Sequence, residues 1–186
     1  KECRKMKIVI LNGSPRSGGN TELMAKAFAD AASPRHQVEI LNIARMNIHG
    51  CLGCGACYSN GGKCVQQDDM PAVLEALSDA DMAVFASPIY WFDITAQLKT
   101  VIDRMYVYGA TGVNFNKTAL LLDAGAASED AKAGHVFDAA VAQYKAMTAY
   151  LKWEDKGIIA IPDMRKKGSM SESPMLEQVK ALAAAL

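Results

Sequence analysis

Two stretches of this chain hold residue types whose spacing could do chemistry. The first, LNGSPRSGGNTELM at residues 11–24, follows an apolar run, crowds three glycines and two serines into a turn, and then reads as a helix. A turn that ends this way at a helix N-terminus suits a phosphate, because backbone N–H groups and the positive end of the helix dipole face the anion together. Ser14, Ser17 and Thr21 offer hydroxyls, the N–H groups from Arg16 to Thr21 can converge on one dianion, and Arg16 can add a charge-assisted bond. Gly13 is followed by Ser14 and Pro15, which breaks the G-x-G-x-x-G turn of a dinucleotide site. Gly13 and Gly18 have the spacing of a Walker A loop, but Gly19 and Asn20 stand where Lys and Ser or Thr are required. A hydroxyl-rich loop without a lysine is left, matched to one monoester phosphate.

The second stretch carries Cys51, Cys54, Cys57 and Cys64, spaced C-x2-C-x2-C-x6-C. The first three positions match the start of a bacterial ferredoxin run, but the fourth lies farther off and no proline follows it. Four soft thiolates this close could hold a 4Fe–4S cluster or a zinc ion. They could equally be small apolar residues in an ordinary ordered loop, with Gly61-Gly62 making a turn and Asp68 or Asp69 capping the next helix. Cys3 stands apart. His36, His49 and His135 are scattered and read as surface or loop residues rather than proton donors.

The elements that must position these residues alternate regularly. Strands are predicted at Lys7–Asn12, Val38–Asn42, Met82–Ser87, Thr118–Ala124 and Gly157–Ile161. Helices are predicted at Thr21–Ala32, Pro71–Ser78, Thr95–Tyr108, Ala133–Lys152 and Pro174–Leu186, the first capped by Asn20. Near-continuous apolar strands imply a sheet buried on both faces, and five βα units in succession imply an open parallel sheet with helices on both sides. The chain reads as a single α/β domain over residues 1–186, with one long irregular stretch at about Met46–Asp69.

A third constellation follows the third strand. ASPIYWFDITAQLKTVIDRM, residues 86–105, puts Tyr90, Trp91 and Phe92 in succession at a loop tip. Three consecutive large rings cannot all face a core, so at least one is left for a flat heteroaromatic ligand, or Trp91 for a subunit contact. Asp103 and Arg104 are expected to anchor helix and loop rather than touch a ligand.

Composition excludes several classes. The 20 basic and 20 acidic residues cancel, which gives no support for nucleic-acid or membrane-surface binding. RKKG at 165–168 reads as a solvated loop. No apolar run reaches the roughly 18 residues of a membrane span. The first residues, KECRKMKIVI, lack a signal-peptide pattern, and five cysteines in a chain this apolar do not read as a disulfide scaffold, so a cytoplasmic location is expected.

GSPRSGGNT, CLGCGACYSNGGKCVQQDDM and SPIYWFDITAQLKTVIDR together resemble the NADPH-dependent FMN reductase family, of flavodoxin-like fold, and the related iron-sulfur flavoproteins. The resemblance runs from about Met6 to Arg104; beyond Val107 only the βαβ rhythm and LLDAGAA match. It implies a sheet of order 2-1-3-4-5, one noncovalent FMN, hydride uptake from NAD(P)H, and a homo-oligomer, dimer or tetramer. By position, Ser14, Arg16, Ser17, Asn20 and Thr21 would hold the FMN phosphate. Pro88, Ile89, Tyr90, Trp91 and Phe92 would line the ring, and Ala124, Gly125 and Ala126 would close its other edge. The flavin carries the chemistry, so no catalytic acid or base is named. The function expected is reduction of quinones, flavins or small electrophiles, with a small-molecule acceptor and reduced nicotinamide as the only partners. The cysteine loop is taken as cluster-free, with Cys51, Cys54, Cys57 and Cys64 as conditional ligands of the alternative, an iron-sulfur flavoprotein passing electrons from a ferredoxin. A flavodoxin-like carrier without its own substrate is the third reading; zero net charge argues against it, since such carriers are usually strongly acidic.

Overall fold

The computed structural model describes residues 4–111, 117–123, 125 and 135–186. Its strands are β1 (Lys7–Asn12), β2 (Gln37–Leu41), β3 (Met82–Pro88), β4 (Lys117–Asp123) and β5 (Glu154–Ile161). They form one parallel sheet in the order β2-β1-β3-β4-β5, as expected. The helices are α1 (Asn20–Ala32), the single turn α2 (Ala56–Ser59), α3 (Met70–Ser78), α4 (Ala96–Arg104), the short α5 (Tyr108–Thr111), α6 (Asp138–Leu151) and α7 (Leu176–Ala184).

Alternation along the strands explains the two layers. Val9, Leu11, Phe85 and Leu120 point to one face, where α3, α4 and α6 cover them with Val73, Leu98 and Tyr144. Ile8, Ile10, Val84 and Leu121 point to the other, where α1 and α7 bring Met24, Phe28 and Val179. Successive residues of one strand thus serve separate cores, which is why the strands are apolar without a polar face.

Element boundaries depart from the sequence reading in instructive places. Gly19, not Asn20, is the N-cap of α1, and Asn20 is already helical. Its side chain is engaged elsewhere, with the loop beyond β5. The helix expected over Thr95–Tyr108 ends at Arg104 and tightens into a 3-10 turn, Met105–Val107, before α5. β5 begins at Glu154, ahead of Gly157. Ala124 and Ala133, predicted element ends, lie outside the described residues.

His36 also departs from its expected surface position. It is buried where α1 hands over to β2, its Nδ1 accepts the Met6 N–H at 3.3 Å, and its Nε2 finds no hydrogen-bond partner. Burial, then the charges of Arg35 and Lys117, lower its pKa below the usual 6.5. The unfolded chain therefore takes up a proton as pH falls through about 6.5 while the folded chain resists it, so stability is lost below that point. Urea midpoints are expected to drop between pH 7.5 and 5.5, with a smaller drop in His36→Gln.

Candidate functional site

The turn between β1 and α1 is held by its own side chains. Asn12 Oδ1 accepts the Ser14 N–H at 3.1 Å, and Ser14 Oγ accepts the Arg16 N–H at 3.3 Å. Glu22 reaches back to the Gly18 N–H at 3.0 Å and also pairs with Arg45. No side chain caps α1, so the N–H groups of its first turn remain directed out of the helix end. An uncapped helix start of this kind attracts an anion.

The loop after β3 abuts it. Thr95 Oγ1 donates to the Gly13 carbonyl at 2.8 Å and caps α4 by accepting the Leu98 N–H. Ser87 Oγ in turn accepts the Thr95 N–H at 2.9 Å. Between Ser87 and Thr95 the chain makes a tight reversal, in which Tyr90 and Asp93 exchange backbone bonds of 2.9 and 3.3 Å. The two residues at its tip, Trp91 and Phe92, both have positive φ, 49° and 71°. A two-residue turn with both central φ positive favours Asn-Gly, and bulky aromatics there are strained. Trp91 is 92% exposed and Phe92 is exposed beside it, so core packing does not hold the strain in place.

A cleft opens between these loops. Ser14, Arg16, Asn20, Thr21, Pro88, Tyr90 and Gly125 from the expected set line it. Ser17, Ile89, Trp91 and Phe92 do not; Ile89 is buried in the core, and the two aromatic rings stand outside at the turn. Ala124 and Ala126 lie outside the described residues. Asn20 contributes no free side chain: its Nδ2 donates to the Met164 and Lys166 carbonyls, both at 2.9 Å, and its Oδ1 accepts from the Gly168 and Met170 N–H groups. It staples the loop beyond β5 against α1.

That staple brings in residues the sequence reading passed over. Lys167, from the basic run taken as a solvated loop, lines the cleft beside Gly18. Asp123, at the end of β4, lies at the cleft with its side chain buried and accepts a short hydrogen bond from Thr21 Oγ1. Burial pushes its carboxyl up to about 7, against the Thr21 bond and the charge of Arg16. A lone acid ending an otherwise apolar strand, LLLD, was the available signal.

A second cavity lies in the cysteine-rich segment. Its base is clasped: Asn47 and Asp69 bond reciprocally at 2.7 and 2.9 Å, and Asp68 accepts the His49 and Met70 N–H groups. Arg104 grips both oxygens of Asp68, at 2.7 and 3.1 Å, and donates to the His49 carbonyl, as expected of an anchoring residue. Both side chains are almost wholly buried, and the Arg104 hydrogen bonds hold the Asp68 carboxyl down to about 2 despite that burial. Above the clasp, Gly53, Gly55, Gly61 and Gly62 all have positive φ. Cys51, Cys54, Cys57 and Cys64 line one cavity with Leu52, Val65, Tyr106 and Arg104. Cys51 and Cys54 are exposed and Cys57 and Cys64 half-buried, with Cys57 packed against the core. Among the described residues, no three Cys, His, Asp or Glu are grouped so as to hold a metal ion.

The family model described as NADPH-dependent FMN reductase matches residues 6–163. The chain belongs to the NADPH-dependent FMN reductase family. An iron-sulfur flavoprotein of Archaeoglobus fulgidus is 40% identical over 105 residues, 56% of this chain and 47% of that protein. The chain spans about half the length of the curated relatives it matches. Among solved structures, an NAD(P)H:quinone oxidoreductase from Methanothermobacter marburgensis superposes with a TM-score of 0.80 at 21% identity, covering 97% of this chain and 96% of that one. An FMN-dependent NADH-azoreductase from Bacillus anthracis, solved with FMN, gives 0.72 at 16% identity, covering 96% and 98%. At these identities the two structures establish that this FMN reductase family member shares their flavodoxin-like fold. No helix among its described residues is long and apolar enough to cross a membrane.

The strained tip yields a direct expectation. Replacing Trp91→Asn together with Phe92→Gly supplies the residues such a turn prefers and sacrifices little burial. The double variant should be about 1–2 kcal/mol more stable to urea than the natural chain, the release expected from two strained positions. Equal or lower stability would mean that the exposed rings support the fold.

Proposed function

We propose that this protein is an FMN-dependent NAD(P)H oxidoreductase that reduces quinones, flavins or small electrophiles. The observation that carries this reading is one cleft that unites an uncapped helix start, the hydroxyls of Ser14 and Thr21, and the cations Arg16 and Lys167, in a member of the FMN reductase family. The donor set fits a phosphate monoester: N–H groups, hydroxyls and two positive side chains converge, and the cleft is small and polar at that end. Ser14, Arg16 and Thr21 would hold the phosphate, Asn20 acting through its backbone, with Ser17 outside the cleft. Pro88 and Tyr90 would meet the ring, with Trp91 and Phe92 presented beside it, and the segment around Gly125 would meet its far edge. When bound, FMN supplies the hydride-accepting and hydride-donating chemistry. The chain's own task is to anchor and orient the cofactor and leave one face of the ring accessible, which needs no catalytic acid or base. Exposed Trp91, Tyr58, Tyr106 and Tyr150 suit burial against a second copy, hence a homo-oligomer. A cytoplasmic location suits a cysteine-rich segment whose four thiols are free among the described residues.

A second reading is favoured by one observation. Four cysteines line a single cavity, none of them fully buried, and the relatives named iron-sulfur flavoproteins match this chain over about a hundred residues. The thiols have the right chemistry for a 4Fe–4S cluster, and the glycine-rich segment between them could bring them together around it. α4 begins beside the cleft, at Thr95, and ends beside this cavity, at Arg104, about 14 Å away by helix rise. In this reading the protein passes electrons between a ferredoxin-like donor and an acceptor.

Two experiments test these readings. FMN should bind far more tightly than riboflavin, and Arg16→Gln should weaken FMN binding roughly 10–100-fold, the worth of a hydrogen bond to a charged group, with riboflavin unchanged. Anaerobic NADPH or NADH should then bleach the bound flavin and a quinone restore it; bleaching by neither removes the first reading. For the second, anaerobically reconstituted protein should carry about four iron and four sulfide per chain. Cys54→Ser should lose them and keep FMN. Iron near zero after reconstitution removes the second reading.

A further inference from the structure

A binding site for an anion should not have a buried carboxylate in its wall, yet this one does. Asp123 is the single acidic residue lining the cleft among the described residues. Its backbone is held in the β3–β4 pairing, where its carbonyl accepts the Ile89 N–H at 2.7 Å, and its buried side chain is held by Thr21. The groups facing it are Thr21 from α1, Arg16 from the β1–α1 turn, Tyr90 from the loop after β3, and Lys167 from the loop after β5. Thr21 Oγ1 donates to Asp123. A hydroxyl has one proton, so Thr21 then has none to offer a ligand.

We propose that Asp123 is a phosphate-site residue that works in its acid form, taking up one proton when a phosphate monoester enters the cleft. The proton comes from solvent and adds to the carboxylate; no other bond is made or broken. The carboxylic acid then donates to Thr21 Oγ1, and the Thr21 O–H turns to the phosphate. One proton thereby removes a like-charge clash and releases a hydrogen-bond donor. The site is already poised for this, since burial pushes the Asp123 carboxyl up to about 7. A dianion placed beside it moves the same equilibrium further toward the acid. The ligand class selected is a doubly charged phosphate monoester: a neutral flavin gains nothing from the proton.

This inference rests on the reading that the cleft holds the phosphate of FMN, and the experiment separates the two. Affinities of FMN and riboflavin are measured by flavin fluorescence at pH 7.5, 8.25 and 9, where the phosphate itself is fully ionised. In the natural protein FMN affinity should fall about tenfold per pH unit, the signature of one linked proton. Riboflavin affinity should stay level. Asp123→Asn, whose amide donates as the acid would, should bind FMN with a level profile and more tightly than the natural protein at pH 9. Calorimetry of the unmodified protein at pH 8.5, in two buffers of different ionisation heat, should show about one proton taken up per FMN. A level FMN profile, an unchanged slope in Asp123→Asn, or no proton uptake overturns the role of Asp123 while the phosphate site stands. Equal affinity for FMN and riboflavin at pH 7.5 overturns both.

Discussion

Contact between Gly13 and the start of α4 is the constraint on which the site depends. A Cβ at Gly13 would lie 2.8 Å from both Leu98 Cβ and Thr95 Oγ1, closer than real side chains approach. Only glycine lets the β1–α1 turn and the β3–α4 loop meet, and the Thr95–Gly13 hydrogen bond then ties them. Adjacent parallel strands β1 and β3 bring the loops to the same edge, at the point where the strand order reverses. The glycine decides that they close on one another rather than stand apart. Larger side chains would push α4 outward, opening the cleft at one end and dragging Arg104 from Asp68 at the other.

The two loop systems are ordered by different physics. Around the cleft, order comes from short local bonds: Asn12 to Ser14, Ser14 to Arg16, Glu22 to Gly18. Each is worth on the order of 1 kcal/mol, and together they fix a backbone whose N–H groups stay open to a ligand. The cysteine segment is instead pinned at its base by one buried ion pair. Such a pair adds little net stability over an apolar substitute, but losing one partner leaves a buried charge, at about 3–5 kcal/mol. Its worth is therefore geometric: it makes the position of the loop inseparable from that of α4.

Much of this was legible in the sequence because it follows from periodicity and local turn chemistry. Short apolar strands alternating with helical patterns gave the sheet and its layers, and the order 2-1-3-4-5 followed from the family the motifs resemble. Arg104 was read as an anchor, and Gly61 and Gly62 do make a turn. What escaped notice depends on contacts far apart in the chain. Asn20 looks like a helix cap and a phosphate ligand, yet its partners lie more than 140 residues away, at Met164, Lys166 and Gly168. Lys167 looks solvated until that staple draws its loop to the cleft. His36 is an unremarkable turn residue until β1 packs over it. Asp123 carried a local signal, a charge at the end of an apolar strand, but its significance needs Thr21 beside it.

The clasp at Asn47–His49 and Asp68–Met70 turns the segment between into a socket insert. Its ends are held together whatever lies between them, and the rest of the fold meets the insert through Arg104 and through the Tyr58–Tyr106 ring contact. Doubling the insert would cost only about 0.6 kcal/mol in closure entropy. Length, cysteine number and spacing can therefore drift while the flavodoxin-like frame keeps its cores. A fold built this way can rewrite the chemistry of one surface cassette without disturbing the two apolar layers beneath it.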